Sequence, residues 1–163
     1  MSAAGLALVG CAGTATPQFS AEQLEVLAAM DAHMLAISAN DPAEIGAQQT
    51  VDGMTFRLSP KDDGGWEMSG WPNSYWAAPE RADANAYKER YWSPTVLVRG
   101  GMALVWAPYE FWINGETSHC GVDAFSFAKI DGRWIVTNAM WTAEPKSCDD
   151  LRPADPAEIR PAQ

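Results

Sequence analysis

Cysteine, histidine and positive charge are all scarce in this chain, and each scarcity excludes a class of function. Three cysteines and two histidines in 163 residues include no CxxC pair and no His/Cys cluster. A zinc site therefore has no ligand set, and neither a metal nor a cofactor is expected. Eleven Lys and Arg stand singly against 21 Asp and Glu, for a net charge of −10. Without a basic stripe, nucleic acid is not an expected partner. No apolar run is long enough to span a bilayer as a helix. A glycine loop that would cradle phosphate is absent, as are a nucleophile elbow and internal repeats. What remains is one domain, large enough to bury a core without staples.

Tryptophan, by contrast, is abundant: there are eight, all between Trp66 and Trp141. Such stiff rings can frame a cavity or simply fill a core. They fall around the stretch that organises the chain, Tyr91–Ala143. Gly100-Gly101, Asn114-Gly115 and Asp131-Gly132 divide it into the β-rich runs Pro94–Arg99, Met102–Ile113, Glu116–Ile130 and Arg133–Ala143. Asn-Gly and Asp-Gly favour type I′ turns, since both central residues need positive φ. The reading is a four-stranded antiparallel meander.

Counting outward from two-residue turns pairs Trp106 with Asp123, Leu104 with Phe125 and Glu110 with His119. It also sets Asp123 against Met140, Phe125 against Asn138, Phe127 against Val136, Leu97 against Leu104 and Thr95 against Trp106. One face then carries Leu97, Leu104, Trp106, Phe125, Phe127, Trp134, Val136 and Met140, with Asp123, Asn138 and His119 among them. The other carries smaller apolar residues. Neither alternates with charge as a wetted face should. The bulky face suits a concave surface under helices, and the smaller face suits a second subunit, so a homodimer through the outer sheet face is expected. Pro108 cannot donate to a ladder, so a bulge is expected there.

The N-terminal Met1–Gly10 is small and apolar and runs into Leu8-Val9-Gly10-Cys11. That quartet resembles the lipobox of bacterial lipoproteins, with Cys11 the lipidated residue, although no Lys or Arg precedes it. It implies an exported, periplasmic or membrane-anchored protein; without a signal the location would be cytoplasmic. Residues 1–18 read as this segment and a tether. In the meander count Cys120 faces Ala143, and a turn at Pro145 would return Cys148 to it. A Cys120–Cys148 disulfide is expected, with two ordinary thiols the alternative.

Ser20 and Gln23 form a capping box for a first helix reaching about Ala39. Its apolar arc is Leu24, Leu27, Met30, Met34, Leu35 and Ile37, with Asp31 inside it and His33 near its margin. Asp41-Pro42 opens a short second helix. Val51–Leu58 and Trp66–Trp71 read as a hairpin, and Pro79–Arg90 as a third helix. The Pro/Asp-rich tail 144–163 reads as mostly unstructured beyond Cys148.

This element order, with "MALVWAPYEFW", "NGETSHCGVDAF" and "DGRWIVTNAMWT", resembles the nuclear transport factor two-like (SnoaL-like) superfamily over residues 19–143. The resemblance implies an α+β fold: a cone-shaped, curved antiparallel sheet with helices on its concave face, the cystatin-like roll. It implies an apolar conical pocket for a small hydrophobic or aromatic molecule. The superfamily spans isomerases, dehydratases, cyclases and proteins that only bind, so fold alone assigns no reaction.

Asp123 is the first candidate for chemistry. A carboxyl between Trp106 and Met140 would be desolvated and its pKa raised, which suits a general base or acid; a structural Asp held by backbone amides is the plainer alternative. His119 on the same face is second, against a rim histidine satisfied by Glu110. Asp31 is third, against a carboxylate bonded to a sheet Tyr or Trp. Tyr109 would offer an O–H to an oxyanion. Trp106, Phe125, Asn138, Met140 and Leu104 are expected to line the pocket. Binding without turnover is the first expectation. A cofactor-independent isomerase, dehydratase or cyclase using Asp123 with His119 or Tyr109 is the second, and a structural lipoprotein with a filled cavity the third.

Overall fold

The structure, a computed structural model, describes residues 18–155 and 159–161. The lipobox-like quartet with Cys11 lies outside them. The helices are α1 (Ala21–Ser38), α2 (Pro42–Ala47), α3 (Asn73–Trp76) and α4 (Cys148–Leu151). The strands are β1 (Met54–Pro60), β2 (Trp66–Pro72), β3 (Tyr87–Tyr91), β4 (Thr95–Arg99), β5 (Met102–Ile113), β6 (Glu116–Ile130) and β7 (Arg133–Thr142). They form one seven-stranded sheet ordered β2-β1-β7-β6-β5-β3, with β4 also pairing β5. It is curved and unclosed: an α+β roll of the NTF2-like and cystatin-like kind, with α1 across the concave face.

The meander's ends lie where its turn residues place them. Asn114 and Gly115 take φ of 54° and 85°, and Asp131 and Gly132 take 50° and 78°, the paired positive values a type I′ turn requires. Gln23 and Ser20 exchange capping bonds of 2.8 and 3.2 Å, and the Gln23 amide donates to the Val96 carbonyl at 2.8 Å. The helix start is thereby fastened to β4. From there α1 buries Val26, Leu27, Met30, His33 and Met34 against Val105, Phe125, Phe127 and Val136. Leu24 and Leu35, expected inside, are 49% and 50% exposed. The buried stripe runs through Val26 and His33, rotated from the expected arc.

Register is where the structure departs furthest from the count. Beside the Asn114-Gly115 turn, Trp112 pairs Thr117, but Phe111 pairs His119, so Ser118 is left without a partner. Beside Asp131-Gly132, Phe127 pairs Val136 as expected, but Ser126 pairs Asn138 and Thr137 is left over. Each is a one-residue bulge, and each turns the remainder of its partner strand over. Asp123 therefore sits opposite Ala107 and Trp141, not Trp106 and Met140. Leu104, Trp106, Asn138 and Met140 point outward, and Val105, Ala107, Tyr109 and Ala139 take the inner face. The bulge expected at Pro108 does not form; Pro108 pairs Val122 in register.

Two further expectations are corrected. Pro79–Arg90 is a short 3₁₀ turn (Pro79–Arg81) followed by strand β3. Asp83 accepts the Asn85 amide at 2.8 Å, and Ala86 and Asn114 bond each other, which sets the chain extended along β5. The tail is also organised beyond Cys148. Cys120 and Cys148 are disulfide-bonded, across a sequence separation of 28. Arg152 binds Glu110, the Trp92 indole donates to the Leu151 carbonyl at 2.7 Å, and Arg160 exchanges backbone bonds with Tyr91. Two ion pairs and an edge bridge hold what composition alone reads as loose.

Candidate functional site

Between α1, α2 and the inner sheet face lies a cavity of about 290 Å³. Most of its wall is apolar: Ile37 and Ile45 from the helices, and Phe111, Ile113, Phe125 and Ala139 from the sheet. Its polar side chains include His33, Glu89, Tyr109, His119 and Asp123, with Trp76, Arg81 and Trp141 also contributing to its lining. Of the residues expected to form a pocket wall, Phe125 does so. Leu104, Trp106, Asn138 and Met140 line a shallow groove on the opposite face, because the two bulges reverse their strands.

Asp123 is 2% exposed, and its Oδ2 has no hydrogen-bond partner. Burial raises its pKa well above the ordinary carboxylate value, and the charge of Glu89 raises it further. Glu89, 7% exposed on β3, is pushed up to about 8 by burial. Two carboxyls that oppose each other's ionisation in a desolvated site retain at least one proton through neutral pH. Such a pair offers a donor and, once one member ionises, an acceptor. Neither has a cationic partner among the described residues, whereas other acids of the chain do. Asp31 is held by Arg160 and Glu110 by Arg152.

The histidines flank this pair in neutral form. Burial lowers His33 to about 4; it packs edge-on to Phe125 with ring centroids 5.6 Å apart, and its Nδ1 is unpartnered. Burial, with the nearby charge of Arg57, lowers His119 to about 4. The His119 Nδ1 lies 3.0 Å from Ser118 Oγ, and its ring abuts Tyr109 and Phe111, not Glu110, which faces outward. Tyr109 lines the cavity, but its hydroxyl donates to the Thr142 carbonyl at 2.9 Å. That proton is committed, so an oxyanion role is not open to it in this arrangement. Burial and the charges of Asp123 and Glu89 push its pKa up. Asp31 lies apart from the cavity, taking the Tyr91 hydroxyl at 2.6 Å and the Arg160 guanidinium at 2.5 Å.

Sequence reasoning missed Glu89. Its signal was the alternation Tyr87-Lys88-Glu89-Arg90-Tyr91, a period of two that sends both tyrosines and the acid to one face. A carboxyl in the apolar slot of that alternation hid the strand.

No protein-family model matches this chain, and no curated protein matches it in sequence. Solved structures do match in shape. A candidate dehydratase of the NTF2-like family from Streptomyces avermitilis aligns with TM-score 0.58 at 16% identity, covering 75% of this chain and 95% of its own. The β subunit of a candidate aromatic-ring-hydroxylating dioxygenase from Novosphingobium aromaticivorans gives 0.62 at 14%, covering 76% and 89%. An NTF2-like protein of unknown function from Shewanella baltica gives 0.55 at 14%, covering 77% and 95%. At these identities the likeness is one of fold.

Proposed function

Taking the NTF2-like roll as its scaffold, we propose that this protein binds a small apolar or aromatic molecule in the cavity and moves a proton on it with Glu89 and Asp123. That makes it a cofactor-independent acid–base enzyme of the isomerase, dehydratase or cyclase type. The observation that carries the reading is the contrast among its acids. Acids that only hold the fold sit beside an arginine, as Asp31 and Glu110 do. Glu89 and Asp123 are buried as well, but they face an apolar cavity and have no such partner among the described residues. Burying a carboxyl without compensation is destabilising, so its retention points to use.

The test is deuterium uptake from D₂O at the carbon next to the carbonyl in bound ketones, followed by NMR. Asp123→Asn and Glu89→Gln should each slow exchange by about 10²–10⁴-fold, the range for general acid–base groups, with affinity retained. Ligands that bind tightly yet never exchange or turn over would reduce the protein to a binding module, the reading its apolar lining favours next.

A second copy of the chain is proposed to cover the outer face. Leu97, Leu104, Trp106 and Met140 are all exposed there, in a groove lined without a charged residue. An uncharged apolar patch is self-complementary, as a two-fold interface requires. Trp106→Glu should convert a dimer to a monomer in light scattering; wild type already monomeric at 100 μM (roughly a hundred times a typical micromolar Kd) would end the idea. Export is proposed on the Cys120–Cys148 disulfide, since such bonds persist in oxidising compartments.

A further inference from the structure

We propose that Arg81 makes the cavity selective for ligands bearing a carboxylate at the outer end of an apolar body. The inference rests on the cavity being a ligand site. Arg81 ends the 3₁₀ turn Pro79–Arg81 and contributes to the cavity lining. Its guanidinium carbon lies 4.5 Å from the Tyr75 ring centroid and 5.6 Å from that of Trp76. Stacking of this kind fixes the plane of the group and leaves its edge, where the N–H donors lie, free for a partner. No acid pairs with Arg81 among the described residues, in a chain with 21 acids for its eleven Lys and Arg. The indole N–H of Trp76, in the ring on which Arg81 stacks, is likewise buried without an acceptor. A planar guanidinium held by two rings with its donors unspent is suited to a carboxylate, which it meets two bonds at a time.

The rest of the cavity sets the ligand's direction. Glu89 and Asp123 offer no cation to a ligand carboxylate, and repel one when either ionises, so the carboxylate is left to Arg81 and the uncharged reacting part falls to the carboxyl pair. Trp76 and Trp141, packed edge to face with ring centroids 6.1 Å apart, add apolar wall to the same cavity. One guanidinium balances one charge, and a net charge of −10 opposes a dianion, so a carboxylate fits better than a phosphate ester.

Calorimetric titration with 4-phenylbutyrate and its neutral amide, 4-phenylbutanamide, tests this. Wild type should bind the acid about tenfold more tightly than the amide, as expected for a charge-assisted bidentate contact. Arg81→Gln should abolish that preference and leave the amide's affinity unchanged, while Arg81→Lys should keep only part of it. Equal affinities in wild type, or a preference that survives in Arg81→Gln, would overturn the proposal and leave the cavity standing as a neutral-ligand site. If neither probe binds, the cavity reading fails and this inference with it.

Discussion

The two faces of the sheet are built from alternate residues of the same strands, yet they solve opposite problems. The inner face lies under α1 and carries Val105, Phe125, Phe127 and Val136, with two acids among them. The outer face carries Leu104, Trp106 and Met140, uncovered and with no charge in their groove. Hydrophobic mass is thus a poor guide to which side is the core. What distinguishes the faces is cover: the chain's own helices on one, and, around Leu104, Trp106 and Met140, only an external partner for the other. The acids lie on the covered side, where desolvation alters their chemistry. The outward acid Glu110 is buried too, but beside Arg152, which keeps it ionised.

Removing the same kind of mass from each side should expose that difference. Phe127→Ala deletes a ring that is 1% exposed at the α1 contact and should cost roughly 3–5 kcal/mol in denaturant unfolding. A loss no larger than that of an outer-face truncation would mean that the inner side is not the core.

The next effect is electrostatic and belongs to the inner face alone. Glu89 has an ordinary value of 4.5 and a folded value of about 8. The folded state therefore holds a proton that the unfolded chain releases, and stability falls as pH rises between those values. His33 and His119 act with the opposite sign, but only below their ordinary value of 6.5. Between pH 6.5 and 8 the carboxyls act alone, and a single such proton gives a slope of about −1.4 kcal/mol per pH unit. Glu89→Gln should flatten the decline in melting temperature over this window; an unchanged slope would remove Glu89 from the buried pair. The smallest effect is expected outside. Trp106→Glu, at a residue 51% exposed, should change the stability of the monomer by no more than about 1 kcal/mol, while disrupting any dimer.

Much of the fold was legible locally. The strand ends beside Asn114-Gly115 and Asp131-Gly132, the Ser20/Gln23 cap and the Asp41-Pro42 start all follow from what those residues do to their own backbone. The site was legible in part. Asp123 and His119 share the inner face of β6, since alternation within one strand needs no partner. Their neighbours were not legible, because cross-strand neighbours depend on register. His33 emerged only with the packing of α1, and Glu89 only with the pairing of β3 to β5.

The amino-acid order by itself determined where the meander turns, how long its four strands run, and that Cys120 and Cys148 could meet. Tertiary structure alone decided which residues look inward. The Thr137 bulge shows why: its carbonyl takes the amide of Asn73 at 3.1 Å, and Gly53 lies so close that a Cβ there would come within 1.8 Å of it. Those contacts come from residues 64 and 84 positions away along the chain, and no local propensity encodes them. A single unpaired residue, stabilised from that distance, turns over the rest of its strand. It thereby separates the side chain of Met140 from the acid it was expected to neighbour.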